Sequence, residues 1–395
     1  MTPFETSAGV SRSRRSEAVA VPLFDLRLSE QDIDAVTGAL RSGWLTMGPR
    51  TQALEEAFAA HLGVRHAVAL SSGTAALHLA YLVAGIGAGD EVIMPSYTFV
   101  ATAAAAIYCG AVPVFADIAG DHDLSLDPEE VRRCLSPRTR AIVGVHFAGY
   151  PAAVDQLAEI CAREGLALVE DAAHAPGGTL HGRALGSWGR IAAFSLFSNK
   201  VLPVGEGGLL ATDEDELARR ARSLRSHAMS SGTWDRHRGH AFGYDVHEVG
   251  FNYRIDEPRS ALAHSRLQRL EAEISRRREL TRGYRDRLRE HPGLILPYSD
   301  GAVADSCCYV MPILLRDGSR REQVREALLR RHGIQTSVHY PPVHRLAAYR
   351  ERYRGASLTR TDAAAGREIT IPLFSHMSEQ QFDRVVHALE VEVEA

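Results

Sequence analysis

A primary amine, a carboxylate and a hydroxyl-lined glycine turn, far apart in this chain, are residue types that suit one piece of chemistry. The amine is Lys200. The 395-residue chain has 45 lysines and arginines, of which Lys200 is the single lysine, so 45 minus 1 leaves 44 arginines. Arginine stays protonated and forms no Schiff base, so a chain that gives its cationic duties to arginine keeps an amine where an amine nucleophile is required. A leftover surface lysine would explain the count equally well, and the neighbours decide. Lys200 closes the run Phe194-Ser195-Leu196-Phe197-Ser198-Asn199-Lys200, directly after an apolar stretch that reads as a buried strand. Gly205-Glu206-Gly207-Gly208 follows and lets the chain turn sharply back. An amine partly desolvated there, beside the charge of a cofactor, has a lowered pKa and is primed for imine formation, while Ser195 can add a phosphate contact.

The carboxylate is Asp171, in Glu170-Asp171-Ala172-Ala173-His174 at the carboxyl end of another apolar run. Ligands of open α/β sheets bind outside the carboxyl ends of the strands. A carboxylate there can pair with a protonated pyridine nitrogen and keep the ring an electron sink. Helix capping after the strand is the plainer alternative, and His174 by itself reads as a structural histidine. The third group, Ser71-Ser72-Gly73-Thr74, follows a strand and opens a helix. Free backbone amides, flanking hydroxyls and a glycine permitting close approach form a phosphate seat, although an ordinary N-cap looks the same in isolation.

Other motifs fail on context. Gly85-Ile86-Gly87-Ala88-Gly89 resembles a dinucleotide loop but lies between a helix and a strand, the reverse of the required order, and reads as a helix stop. His339 and His344 flank Pro341-Pro342, which prevents a helical metal pair, so no metal is expected. The five cysteines lack C-x-x-C spacing and are expected to be reduced, with Cys307 and Cys308 packed in a strand.

To position these groups the chain must alternate strands and helices. Strands are expected at 67–70, 91–94, 112–115, 141–146, 166–170, 192–196 and 208–212, and helices at 31–42, 51–62, 74–85, 99–109, 128–134 and 153–164. That alternation predicts a large three-layer α/β domain with a mostly parallel sheet. The stretch from Ala228 to Gly250, with its Trp234-Asp235-Arg236-His237-Arg238 cluster, reads as a long loop. A long helix from Asp256 towards Arg289 leads into a smaller α+β unit with strands at 309–315 and 335–339 and helices at 320–332 and 378–390. The expected division is a polar tail over 1–20, a large domain over 21–255 and a small C-terminal domain over 256–395.

Composition narrows the partners. A net charge of -4 and 24% charged residues leave no basic excess for nucleic acid. No apolar run approaches the ~20 residues of a membrane span, and the start of the chain lacks a secretory apolar region, so a cytoplasmic protein with small-molecule or protein partners is expected.

Taken in order, the motifs resemble the DegT/StrS group of sugar aminotransferases, which are fold-type I pyridoxal-phosphate (PLP) enzymes. The resemblance runs from about Pro22 to the last helix. It rests on Ser72-Gly73-Thr74-Ala75-Ala76-Leu77, Pro95-Ser96-Tyr97-Thr98-Phe99, Glu170 to His174, Phe194 to Lys200 with the glycines after it, Gly250-Phe251-Asn252-Tyr253-Arg254, and His339-Tyr340-Pro341-Pro342. It implies that Lys200 carries PLP as a Schiff base, Asp171 binds the pyridinium, His174 lies near the ring hydroxyl and Phe99 stacks on the ring. It further implies that Ser72, Gly73, Thr74 and Ser195 hold the phosphate, that Asn252 reaches the phosphate of a neighbouring subunit in a homodimer with shared sites, and that Arg254, His339 and Tyr340 line the substrate entrance.

The activity implied is transfer of an amino group from glutamate or glutamine, through the pyridoxamine form, to a keto sugar, most often nucleotide-linked, in amino-sugar or antibiotic biosynthesis. A keto cyclitol such as an inosose is the alternative substrate, and a non-catalytic regulator on the same fold the alternative role. A PLP-dependent sugar dehydratase of this group would carry histidine in place of Lys200. Two positions depart from the family pattern. Pro258 falls where an apolar residue is usual, and Ala228 replaces a glycine after His227, so the loop beyond is expected to start differently.

Overall fold

The computed structural model describes residues 19–230, 243–350, 353 and 357–394. Nearly all of the expected tail, and the Trp234-Asp235-Arg236-His237-Arg238 cluster, lie outside them. The seven expected strands of the first half all form and join one sheet: β1 (His66–Leu70), β2 (Glu91–Pro95), β3 (Val112–Ala116), β4 (Thr139–Val145), β5 (Ala167–Asp171), β6 (Ile191–Ser195) and β7 (Gly208–Thr212). Their order is β1-β7-β6-β5-β4-β2-β3, and β7 alone of the seven runs against its neighbours. A sheet covered on both faces needs unbroken apolar runs rather than alternation. In β1, Ala67 and Ala69 join one apolar layer and Val68 and Leu70 the other.

Helices α1 (Glu30–Arg41), α2 (Pro49–Leu62), α3 (Gly73–Val83), α4 (Ala101–Tyr108), α5 (Pro128–Cys134), α6 (Val154–Glu164) and α7 (Asp215–Arg225) belong to the same half. Helix α3 is apolar nearly all round because it is buried between the sheet and its neighbours. The glycine run after it is a stop and turn, with Gly85 and Gly89 at φ 85° and 83°. Residues 228–230 and 243–250 carry no helix or strand. Ala228 itself adopts φ 53° beside His227 at 63°, so the left-handed turn survives without the glycine. A side chain at Gly250 would press on the Ala228 amide at 2.4 Å.

The single long helix expected after residue 256 is two: α8 (Glu257–Leu267) and α9 (Leu270–Leu288). The break has a distant cause. Arg269 leaves helical geometry at φ -110°, ψ 0°, and its guanidinium pairs with buried Asp32 of α1 at 2.5 and 3.1 Å. Pro258 sits in the first turn of α8, where it costs no hydrogen bond. A three-stranded antiparallel sheet follows: β8 (Leu294–Ile295), β9 (Met311–Leu315) and β10 (Glu368–Ile371). It is accompanied by α10 (Arg321–His332), α11 (Thr359–Arg367) and α12 (Glu379–Glu394).

Two expectations are corrected here. Segment 335–339 is not a strand: a single bridge joins Ser337 to Thr370, and Pro341 and Pro342 supply no amides to extend it. Cys307 and Cys308 lie just before β9 rather than in it, both fully buried, and all five cysteines are reduced. Among the described residues no helix is long and apolar enough to cross a membrane.

Candidate active site

Strands β1, β5 and β6 run in the same direction, so the residues after each emerge on one edge of the sheet. There they line a cavity of about 330 Å³ with Phe99, His339 and Tyr340. The sequence-predicted residues gathered in it are Ser72, Gly73, Thr74, Phe99, Asp171, His174, Ser195, Lys200, His339 and Tyr340. Asn252 and Arg254 are not among them. Asn252 is exposed on a segment bridged to Ser226, and Arg254 lines a second cavity of about 490 Å³ with Glu55 and Arg225.

Lys200 follows β6 in a turn closed by its own amide donating to the Phe197 carbonyl, 2.9 Å. Its Nζ lies 3.4 Å from the Tyr309 hydroxyl and 4.4 Å from the centre of the Tyr309 ring. Burial, which penalises the ammonium, outweighs the attraction of Asp171 and brings the amine down to about 7. A large fraction is therefore a free nucleophile at neutral pH. Tyr309 is held in turn by the buried Arg277 guanidinium, which donates to the Tyr309 carbonyl at 3.2 Å and that of Leu373 at 3.1 Å.

Asp171 ends β5 and is 5% exposed. Its Oδ2 accepts from Thr102 Oγ1 at 2.6 Å and its Oδ1 from the Ala173 amide at 3.2 Å. Thr102 also contacts Thr98 Oγ1 at 3.0 Å. Burial raises the Asp171 carboxyl, opposed by these two donors and by the charge of Lys200. Glu170, one residue earlier, points to the opposite face and does different work. Fully buried, it accepts from the Gly186 amide at 2.7 Å, the Gly189 amide at 2.6 Å and His146 Nε2 at 3.0 Å. Because His146 Nδ1 accepts the Ala152 amide, Nε2 carries the imidazole hydrogen and donates to Glu170.

His174 contacts the Tyr340 hydroxyl through Nε2 at 3.0 Å, while its Nδ1 is buried with no partner. Burial holds it neutral, well below the usual histidine range. At the other end of the cavity α3 begins, capped by Ser72 Oγ, which accepts from the Ala75 amide at 3.1 Å. The amides of Gly73 and Thr74 precede the intrahelical ladder and are available to an anion. A Cβ on Gly73 would meet Ser195 Cβ at 2.9 Å, so glycine is what lets helix start and Ser195 converge.

These features fit PLP. The start of α3 with its free amides, a buried carboxylate, an orphaned imidazole nitrogen and an amine within the electrostatic reach of that carboxylate line the same space. Phe99, 52% exposed at the cavity, offers a free aromatic face for a flat ring. Sequence reasoning singled out neither Thr102 nor Tyr309. Thr102 lies in the first turn of α4, just after the Thr98-Phe99 motif, and nothing in its type or spacing marked it. Tyr309 had no signal either.

Comparison with known proteins agrees with this geometry. The DegT/DnrJ/EryC1/StrS aminotransferase family profile matches residues 27–390. The spore coat polysaccharide biosynthesis protein SpsC of Bacillus subtilis (strain 168) is 38% identical over 367 residues, 92% of this chain and 94% of that protein. Among solved structures, S. venezuelae DesV, in complex with a ketimine intermediate, is 35% identical with a TM-score of 0.87, covering 95% of this chain and 99% of DesV. DesI, crystallised in the presence of its TDP-sugar product, is 33% identical with a TM-score of 0.83, covering 93% of this chain and 91% of DesI.

Proposed function

This chain belongs to the DegT/DnrJ/EryC1/StrS aminotransferase family of PLP enzymes, and on that premise we propose that it moves an amino group from glutamate or glutamine to a nucleotide-linked keto sugar. The observation that carries the proposal is the meeting, in one cavity, of the chain's single lysine, a buried aspartate and the amide end of α3. DesI's TDP-sugar product supports the nucleotide-linked substrate. SpsC's part in polysaccharide biosynthesis supports a sugar rather than a cyclitol.

PLP supplies an electron sink that lets an amino group leave one carbon and join another. Gly73, Thr74, Ser72 and Ser195 would hold its phosphate, and Phe99 would supply an aromatic face for the ring. Asp171, kept from water and oriented by Thr102, would pair with the ring nitrogen and keep it protonated. The unpartnered Nδ1 of His174 would be left to pair with a polar group on the ring. Lys200 would anchor the cofactor through its amine, and its Nζ, when free, would carry a proton from the amine-bearing carbon of the donor to the cofactor carbon that had held the amine link. Its lowered pKa suits both directions of that transfer near neutrality. His339 and Tyr340 close the substrate side.

We place the functional unit in a homodimer. Asn252 stands outside its own chain's cavity, which supports a role at the partner's phosphate. The two parts that enclose the site are a large unit over 21–255 and a small one over 256–395.

The test is a panel assay of the PLP-loaded protein with glutamate or glutamine against nucleotide-linked ketohexoses and inososes, reading the amino product by mass spectrometry. Turnover of a nucleotide-linked ketone is expected. Turnover of inososes alone overturns the substrate assignment, and full activity in Lys200→Arg overturns the mechanism.

A further inference from the structure

Behind the cavity wall lies a line of three buried side chains, of which the transfer described above uses only His339. Glu368 opens β10 and is fully buried, with Thr370 two residues on along the same strand face and His339 beside them. Glu368 Oε2 accepts the His339 backbone amide at 2.9 Å, and its Oε1 lies 2.5 Å from Thr370 Oγ1. Thr370 Oγ1 lies 2.9 Å from His339 Nδ1. With Nδ1 turned to Thr370, Nε2 is the ring nitrogen left for the cavity that His339 lines.

A hydroxyl has one hydrogen to give, so the two contacts of Thr370 cannot be set independently. When Glu368 is ionised, Thr370 donates to Oε1 and must accept from Nδ1–H, which leaves Nε2 bare. When Glu368 is protonated, the amide on Oε2 keeps that oxygen an acceptor, so the acid hydrogen sits on Oε1 and donates to Thr370. Thr370 then donates to Nδ1, and the imidazole hydrogen moves to Nε2.

We propose that Glu368 is a positioning residue whose carboxyl, acting through the Thr370 hydroxyl, sets which nitrogen of His339 carries the hydrogen. It thereby decides whether the cavity wall offers the substrate an acceptor or a donor. The part concerning substrate rests on the function proposed above; the placement of the hydrogen does not.

The surroundings allow both states. Burial raises the Glu368 carboxyl to about 8, opposed by the hydrogen bonds from Thr370 and the His339 amide and by the charges of Arg321 and Arg325 of α10, with the neutral phenols of Tyr97 and Tyr340 also within its electrostatic reach. Burial and the nearby Lys200 amine bring His339 down to about 4, and neutral His174 and the phenols of Tyr309 and Tyr340 also lie near it. His339 is thus an uncharged imidazole throughout the range in which Glu368 changes state.

The experiment is nitrogen NMR of the 15N-histidine-labelled full chain, with His339→Gln identifying the signal. At about pH 9.5, above the raised carboxyl value, wild type should carry its hydrogen on Nδ1. In Glu368→Gln the side-chain oxygen must face the His339 amide, so its NH2 donates to Thr370 and fixes the hydrogen on Nε2 at every pH. Thr370→Val should abolish the pH response of the wild-type signal. The same tautomer in wild type and Glu368→Gln at that pH overturns the relay, whether or not the protein transfers amino groups. In the aminotransfer assay at about pH 9.5, where wild-type Glu368 is ionised, Glu368→Gln should raise KM for the ketone about fivefold with kcat within about twofold. An unchanged KM overturns the substrate-facing role.

Discussion

The single lysine makes the reactivity of the site directly measurable. An amine-directed reagent such as trinitrobenzenesulfonate has one side-chain target in this protein, Lys200, besides the terminal α-amine. Its ammonium falls from 10.5 to about 7 because burial costs the charged form more than Asp171 returns. That is three and a half decades in proton affinity, so near pH 7 about half of the amine is free, against about one part in 3,000 for an unperturbed lysine. The assay follows absorbance of the modified amine in cofactor-free protein across pH, subtracting the Lys200→Arg variant to remove the α-amine. The expected rate constant rises to a plateau with a midpoint near 7, and bound PLP protects the residue. A midpoint near 10.5, or no difference from Lys200→Arg, would refute the claim that desolvation activates this amine.

Three further outcomes follow from the geometry. Glu170→Ala leaves three buried donors, from His146, Gly186 and Gly189, without an acceptor, and should cost about 3 kcal/mol or more in denaturant unfolding. A loss below about 1 kcal/mol would mean that water reaches them. Thr102→Val removes a 2.6 Å donor that lowers the Asp171 carboxyl, so the acid limb of kcat/KM should move to higher pH; an unmoved limb separates Asp171 from the rate. For the proposed shared site, mixing and refolding equal amounts of inactive Lys200→Arg and Asn252→Ala chains should restore about a quarter of the sites, because half of the proposed homodimers then hold one intact pair. No restoration assigns Asn252 to its own chain.

The large sheet is legible in the sequence because its strands are buried on both faces, which leaves unbroken apolar runs such as Ala141 to Val145 that helices of ordinary amphipathic pattern do not have. Helix α7 escapes notice for the opposite reason. Its four arginines dominate the composition, although Leu217, Ala218, Ala221 and Leu224 keep the helical spacing. The break between α8 and α9 is invisible locally, since the carboxylate that draws Arg269 out of the helix belongs to Asp32, 237 residues earlier. In the site, Lys200 and Asp171 announce themselves by type and position. Tyr309 becomes part of it through a loop pinned by Arg277, and no spacing rule reaches that far.

Distance along the chain and distance in the site are decoupled by strand direction. Strands β1, β5 and β6 point the same way, so Ser72-Gly73-Thr74, Asp171 and Lys200 leave the sheet at a common edge although they span residues 72 to 200. Strand β7 is the exception, and its reversal has a use. It enters the sheet at that same edge between β1 and β6, so its first residue abuts the start of α3. That residue is Gly208, where a Cβ would lie 2.3 Å from the Ser72 carbonyl oxygen and 2.7 Å from the Gly73 amide nitrogen. These are backbone atoms and cannot swing aside, so any side chain at 208 must push the amide end of α3 away from Ser195. The glycines after Lys200 therefore do more than turn the chain: the last of them leaves room for the start of α3 to approach Ser195.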